Sequence, residues 1–112
     1  MECPKCSADM DVVDFQGIEI DRCTRCHGIW FDYMERERML ELSNAGDIDI
    51  GDEAVGSEYN DMVYVECPRC NTIMDQKEEF EPRHLTYEFC RSCHGMFFDA
   101  GEFRDLVEGS SA

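Results

Sequence analysis

The chain has 112 residues, of which 26 are acidic and 10 are basic, and its formal net charge at neutral pH is −16. A chain of this length forms one small domain or two very small ones, which excludes a large cofactor pocket with a separate substrate domain. The acidic balance argues against nucleic acids and anionic membrane surfaces as partners, because phosphates repel negative charge.

The hydropathy pattern offers no membrane anchor. The longest run of apolar residues other than glycine has four members, Met62 to Val65, whereas a membrane-spanning helix needs about 20. The first residues lack the basic and apolar stretches of a signal peptide. We therefore expect the chain to lie in the cytoplasm and not to bind a membrane.

Eight cysteines are the strongest signal in the composition. They fall into four CxxC pairs, and the two residues inside each pair form a tight turn that directs both sulfurs the same way. Disulfides are rare in the cytoplasm, so cysteine pairs of this kind favour metal binding over cross-linking.

The four pairs belong to an internal repeat. The first copy reads CPKC at residues 3–6 and CTRCHGIWFD at residues 23–32, and the second reads CPRC at 67–70 and CRSCHGMFFD at 90–99. Sixteen residues separate the two pairs in the first copy and nineteen separate them in the second. Both spacings are typical of zinc sites. The predicted ligands are Cys3, Cys6, Cys23 and Cys26 for one ion, and Cys67, Cys70, Cys90 and Cys93 for the other.

Zinc is the expected metal, with one ion in each copy, and iron is the competing substitute because it also accepts tetrahedral sulfur. Each copy is near the size at which an apolar core alone seldom suffices, so we expect the metal-free chain to be largely unfolded. His27 and His94 directly follow a ligand cysteine. We do not expect them to be ligands, because four cysteines already close each site.

Each copy is expected to contain a β-hairpin between its two cysteine pairs. In the first copy the turn falls at Gln16-Gly17, where the glycine supplies a positive φ. In the second copy a longer polar loop that contains Pro82 joins the strands. The predicted strands are Met10–Asp14 and Ile18–Arg22 in the first copy, and Thr72–Lys77 and Leu85–Phe89 in the second.

Two adjacent aromatic pairs, Trp30-Phe31 and Phe97-Phe98, follow the second CxxC pair of each copy. They could form a binding patch. A unit this small needs every large apolar side chain for its core, so we assign both pairs to the core.

A helical pattern begins after these aromatic residues. Asp32 and Asp99 are candidate N-cap residues, and Glu35 and Glu102 would complete capping boxes, which explains the paired carboxylates better than acid–base catalysis does. The predicted helices are Tyr33 to about Ser43, ended by Gly46, and Ala100 to about Glu108, ended by Gly109. Their expected apolar contacts are Met34, Met39, Leu40 and Leu42 in the first helix, and Phe103, Leu106 and Val107 in the second.

The segment between the copies is the most acidic part of the chain. Residues 47–60 hold five acidic side chains and no basic one, a composition that indicates a solvated, extended linker. Asp61 to Glu66 has the β-branched and aromatic content of a strand that leads into the second copy.

These strings resemble the TFIIB-type zinc ribbon, also called the transcription factor zinc-finger module, whose members often read CPxC…CxxCxGxWLDxGEL. The first copy keeps only the glutamate of the Gly-Glu pair, as Glu35, and the second has Phe97 where the family often has tryptophan. The resemblance implies a zinc ribbon fold with the eight cysteines as ligands. It implies little about biology, because a fold does not carry a function. The matching segments are Cys3–Cys6, Cys23–Asp32, Cys67–Cys70 and Cys90–Phe103.

The expected fold class is therefore a small, metal-stapled α+β protein. It contains two zinc ribbons, and each is a β-hairpin with two CxxC knuckles followed by a short C-terminal helix. The first ribbon covers residues 1–46, the acidic linker residues 47–60, and the second ribbon residues 61–112.

We expect no enzyme, because closed four-cysteine sites leave no coordination position for water and no catalytic triad or phosphate loop is present. The leading hypothesis is a protein–protein interaction module with a basic partner, for example in the transcription or translation machinery. Homo-oligomer formation is left open. One alternative is a thiol redox switch or zinc-releasing chaperone. The other is nucleic-acid binding through a basic set formed by Lys5, Arg22, Arg25, Arg36 and Arg38.

Overall fold

The computed structural model describes residues 1–60, 62, 64–79 and 85–108. Its strands are β1 (Met10–Phe15), β2 (Ile18–Cys23), β3 (Ile29–Phe31), β4 (Asp75–Glu79), β5 (Leu85–Phe89) and β6 (Met96–Phe98). Its helices are α1 (Glu35–Leu40), α2 (Glu53–Asn60) and α3 (Glu102–Glu108), with a 3-10 helix at Ala45–Ile48. This architecture confirms the predicted α+β fold class, with two ribbons that each carry a hairpin and a short helix. Within the described ranges, no helix is long and apolar enough to cross a membrane.

The two hairpins form as predicted. Gln16 and Gly17 turn the first hairpin with φ values of 53° and 89°, which suit the tight twist between adjacent antiparallel strands. The backbone N–H of Gly17 donates to the Asp14 carboxylate at 2.9 Å. In the second hairpin β4 begins at Asp75 rather than Thr72, because Ile73 forms only an isolated bridge with Glu66. The loop that contains Pro82 lies outside the described residues.

Strands β3 and β6 join the two copies into one six-stranded sheet of order β1-β2-β3-β6-β5-β4. Trp30 pairs with Phe97 across the antiparallel β3–β6 contact, and these residues hold the same position in the two copies. The two ribbons are therefore related by a pseudo-two-fold axis at the centre of the sheet. Trp30, Phe31, Phe97 and Phe98 are all buried, which confirms that the aromatic pairs belong to the core.

Because neighbouring residues of a strand point to opposite faces, each aromatic pair serves two cores. Phe31 and Phe98 lie on the face that α1, the 3-10 helix and α3 cover. Trp30 and Phe97 lie on the opposite face, among the cysteines. The helix-side core also includes Ile20, Ile29, Met39, Ala45, Ile48, Tyr87, Phe103 and Leu106.

Two glycines let the copies approach closely at the axis. A Cβ atom at Gly28 would lie 2.3 Å from Phe97 Cζ, and a Cβ atom at Gly95 would lie 2.1 Å from Trp30 Cζ2. Each copy therefore places its large aromatic ring over the glycine of the other. Only a residue without a side chain fits beneath each ring.

Both helices are shorter than the sequence predicts. Met34 has a φ of 72° and Gly101 a φ of 87°, so each helix starts only after a residue whose backbone cannot be helical. Gly46 does not end α1, because it lies inside the 3-10 helix. Gly109 lies outside the described residues. Of the predicted apolar contacts, Met39, Phe103 and Leu106 are buried, Leu42 and Val107 are partly buried, and Met34 and Leu40 are exposed.

The expectation of a solvated, extended linker at residues 47–60 is wrong. Asp49 is 3% exposed, and its carboxylate accepts hydrogen bonds from the backbone N–H groups of Gly101 and Arg104 at 3.0 Å each. Those groups lie at the start of α3, where a helix lacks internal acceptors and favours negative charge. We call residues 45–60 the clasp, because this folded segment packs on the second ribbon.

Two glycines allow the clasp to lie close against Ala100, in the segment that precedes α3. A Cβ atom at Gly56 would lie 2.1 Å from the carbonyl oxygen of Ala100, and one at Gly51 would lie 2.3 Å from Ala100 Cβ. The acidic composition suggested solvation, and Asp47, Asp52 and Glu58 are indeed exposed, but Asp49 is a buried cap.

The predicted strand at Asp61 to Glu66 is not formed over its described part. Tyr64 has a φ of 58° and lies in a bend, and Glu66 makes an isolated bridge. Residues 61 and 63 lie outside the described residues. The division of the chain at residues 46 and 60 stays a prediction.

Enlarging Gly95 should destabilise the fold more than enlarging a glycine in open space. Gly95→Val places atoms inside the Trp30 ring, and overpacking of this kind costs about 1–3 kcal/mol. Gly17→Asn is the control, because nothing lies within 4 Å of its Cβ position and asparagine tolerates a positive φ. Urea unfolding of the metal-loaded chain measures both free energies. Equal losses in the two variants would contradict the close approach at the axis.

Candidate metal centres

Each cysteine knuckle is closed by local backbone geometry. In the first, the N–H of Ser7 donates to the carbonyl of Cys3 at 3.0 Å, and the N–H of Cys3 donates to Ala8 at 2.8 Å. Positive φ values of 60° to 66° recur at the residue after each CxxC pair. This reversal turns both sulfurs of a pair inward. The four residues are Ser7, His27, Asn71 and His94.

The hairpins bring the knuckles of each copy together. In the first group, Sγ of Cys3 lies 3.7 Å from Sγ of Cys26, and Sγ of Cys6 lies 3.3 Å from Sγ of Cys23. All four sulfurs of a group lie within 4.8 Å of one another, and the same holds in the second group. The groups are Cys3, Cys6, Cys23 and Cys26, and Cys67, Cys70, Cys90 and Cys93, as the sequence predicts.

This spacing fits a tetrahedral metal ion. Zinc–sulfur bonds of about 2.3 Å place ligand sulfurs about 3.8 Å apart, close to the observed separations. A disulfide needs about 2.05 Å, and all eight cysteines are free thiols. The structure therefore favours metal coordination over the disulfide alternative.

Backbone N–H groups donate to cysteine sulfurs in both groups. Cys23 Sγ accepts from Arg25 and Cys26 at 3.3 and 3.4 Å. In the second copy, Cys67 Sγ accepts in the same way from Arg69 and Cys70 at 3.4 and 3.3 Å. Such bonds stabilise a negatively charged sulfur, which is the form that binds metals.

Crowding of the thiols opposes their joint ionisation. The hydrogen bond from Cys26 lowers the pKa of Cys3 to about 5, and the same bond raises the pKa of Cys26. In the second group burial raises the pKa of Cys67 to about 12. Each group thus contains a thiol that resists losing its proton. A divalent cation at the centre removes this obstacle, because it compensates the charge that the four thiolates share.

The histidines that follow the knuckles lie outside both groups, which among the described residues consist of cysteines alone. The ring of His94 makes edge contacts with the rings of Tyr33 and Phe89, at centroid distances of 5.4 and 5.8 Å. His94 therefore has a packing partner in each copy.

The sequence does not predict the role of the cation inside each CPxC pair. Lys5 reaches across the axis, where its Nζ lies 2.7 Å from Asp99 Oδ2 and 3.0 Å from Glu88 Oε1 of the second ribbon. It also donates to the carbonyl of Tyr59 in α2 at 2.9 Å. The side chains of all three charged residues are at most 2% exposed.

Arg69 makes the matching contact in the opposite direction. Its guanidinium binds both carboxylate oxygens of Asp32 in the first ribbon, and Nη2 lies 2.7 Å from Oδ2. Asp21 lies 3.5 Å from the same nitrogen. Each ribbon therefore extends a cation from its first knuckle into an acidic pair of the other. We call these contacts the crossed ion pairs.

These contacts revise the predicted capping boxes. Asp32 does not cap α1 with its side chain, although its backbone N–H donates to Glu35 at 2.7 Å, as one half of a capping box requires. In the second ribbon the Glu102 carboxylate accepts from the backbone of Thr86 instead, and Asp49 caps α3. The matched positions of Lys5 and Arg69, and of Asp32 and Asp99, were the signal that could have revealed this.

The clasp makes the two crossed ion pairs unequal. It covers Lys5, whereas the side chain of Arg69 is 44% exposed. Burial acts to lower the pKa of Lys5, but the carboxylates of Asp99 and Glu88 outweigh it and raise the pKa. Burial raises the pKa of Glu88 and of Asp99 against the opposing charge of Lys5.

Comparison with known proteins agrees with this geometry. The family model described as "Transcription factor zinc-finger", a TFIIB-type zinc ribbon, matches residues 2–42 and 66–109. These two segments cover most of the chain and leave out residues 43–65, which contain the whole clasp. Neither a curated protein nor a solved structure gives a significant match.

The two crossed ion pairs should differ sharply in their contribution to stability. Lys5→Met leaves two buried carboxylates without a counter-charge, a change that typically costs about 3–5 kcal/mol. Arg69→Met is the matched control and should cost about 1 kcal/mol or less, because solvent screens its partners. Urea unfolding of zinc-loaded chains measures both, and similar losses would contradict the buried pair.

The loss of unfolding free energy that Lys5→Met causes should also shrink as the pH falls from about 8 toward about 6.5. Carboxylates with a raised pKa bind more protons in the folded chain than in the unfolded one, so folding gains stability at lower pH. Unfolding free energies of both variants and the parent across this range test the sign. A deficit that grew on acidification would contradict it.

Proposed function

Since the chain belongs to the transcription factor zinc-finger family of TFIIB-type zinc ribbons, we propose that it is a non-enzymatic zinc-binding protein. Its tandem ribbons form a single rigid module for binding another protein. The observation that carries this proposal is the use of all eight cysteines in two closed four-sulfur groups.

Zinc suits these groups because it prefers four ligands in tetrahedral geometry and has no redox chemistry of its own. Bound zinc would supply a structural cross-link between the two knuckles of each ribbon. A four-sulfur set leaves no open position for a water ligand, which argues against hydrolytic chemistry. A reducing compartment such as the cytoplasm would keep the thiols available.

Several charged groups near the knuckles have structural roles. Glu88 and Asp99 compensate Lys5, Asp32 binds Arg69, and Asp49 caps α3. These contacts explain the paired carboxylates through folding rather than through acid–base chemistry.

Three of the five basic residues considered for nucleic acids make contacts within the chain, whereas Arg25 and Arg38 are exposed. Lys5 is buried, Arg22 donates to the carbonyl of Ile48 at 3.1 Å, and Arg36 lies 3.2 Å from Glu37. With a formal charge of −16, the chain is suited to a basic protein partner, in the transcription or translation machinery for example.

Photo-crosslinking tests the proposal directly. Zinc-loaded chain with benzoylphenylalanine in place of Tyr64, which is 81% exposed, should cross-link to a partner protein in cell extract. Buried Phe98 is unsuitable for comparison, because the same substitution there would break the core. Exposed Val12, in the edge strand β1, is therefore the matched second position for the photo-crosslinker. The captured protein is then purified and titrated against labelled chain.

The expected result is a direct complex whose affinity falls as the salt concentration rises. Short DNA and RNA duplexes should show no binding at low salt. Binding to a duplex without any protein partner would contradict the proposal and support the nucleic-acid alternative.

A further inference from the structure

A cleft lies between the first knuckles of the two ribbons. Its cavity volume is about 310 Å³. Its rim residues occur in equivalent pairs, each separated by 64 positions in the sequence, so the cleft lies on the pseudo-two-fold axis. The pairs are Glu2 with Glu66, Pro4 with Pro68, and Ser7 with Asn71.

The polar groups on this rim are available to a ligand. Glu2, Ser7, Glu66 and Asn71 are exposed. Neither glutamate side chain makes a hydrogen bond or an ion pair within the part of the chain that the structure describes. None of the residues that line the cleft is basic.

The floor adds further negative charge. Cys3 and Cys67, one ligand from each four-sulfur group, line the cleft and are at most 2% exposed. Four thiolates around a divalent ion leave a net charge of about −2 on each group. The cations next in sequence do not compensate the cleft, because Lys5 and Arg69 are drawn into the crossed ion pairs.

We propose that this axial cleft binds an arginine side chain in a basic segment of the partner protein. A guanidinium presents five donors in a flat fork, which can serve two carboxylates at once. The apolar stem of the arginine would lie against the rings of Pro4 and Pro68. This inference rests on the proposed protein-binding function and names the chemistry of its recognition.

The test uses the peptide Ac-Gly-Gly-Arg-Gly-Gly-NH2 as a probe for the full zinc-loaded chain. Titration followed by proton–nitrogen NMR should shift the backbone amides of Glu2, Ser7, Glu66 and Asn71 more than those elsewhere. The same peptide with neutral citrulline in place of arginine has nearly the same shape. It should cause no shift at equal concentration.

Two double variants separate a local contact from net charge. Glu2→Gln with Glu66→Gln should weaken binding of the arginine peptide about fivefold or more, as expected for two partly exposed ion pairs. Glu19→Gln with Glu41→Gln removes the same charge at exposed positions away from the cleft and should change binding less than about twofold. Unchanged amide shifts at Trp30 and Phe97 confirm that both variants stay folded.

Three results would overturn the inference: no shift at the cleft, equal shifts with citrulline, or equal weakening in both double variants. Binding of the crosslinked partner then distinguishes a failure of the axial cleft from a failure of the proposed protein-binding function. If the partner still binds, the axial cleft alone is rejected. If the partner does not bind either, the proposed function fails as well.

Discussion

The fold of the whole molecule depends on two groups of four cysteine sulfurs that lie close together. Thiols this close cannot all ionise unless a cation compensates their negative charge. The hydrogen bond between Cys3 and Cys26 lowers the pKa of Cys3 and raises the pKa of Cys26. A metal ion turns this crowding into a cross-link between two backbone turns. Each ribbon thereby gains a fixed point that its short strands and six- or seven-residue helices could not provide alone.

The two ribbons are joined by side chains that each ribbon extends across the axis to the other. Trp30 lies over Gly95 and Phe97 over Gly28, while Lys5 and Arg69 extend in opposite directions. In an isologous interface, residue i of one subunit contacts residue j of the other, and residue j of the first contacts residue i of the second. The contacts between the two ribbons follow this pattern at equivalent positions. The chain therefore has the form of a dimer within one polypeptide. The clasp breaks the symmetry, because only Lys5 is covered by it.

The sequence was sufficient for the parts of the fold that depend on local chemistry. CxxC spacing predicted both cysteine groups, Gln16-Gly17 predicted a turn, and the size of the units placed Trp30 and Phe97 in a core. The errors concern contacts between distant segments. Asp49 looked solvated because the backbone N–H groups that donate to its carboxylate lie more than fifty positions away, at Gly101 and Arg104. Asp32 looked like an N-cap because its partner Arg69 belongs to the other copy. Local patterns could not reveal either pairing.

Native mass spectrometry of the reduced chain, before and after mild peroxide treatment and after chelation, tests whether the fold depends on its metal centres. We predict two zinc ions per chain, retained through peroxide without new disulfides. Removal of both ions by a chelator should then unfold the chain, which appears as a broad, high charge-state distribution. Zinc loss matched by disulfide formation under peroxide would instead support a redox switch. A metal-free chain that kept a compact charge-state distribution would contradict the dependence of the fold on its four-sulfur centres.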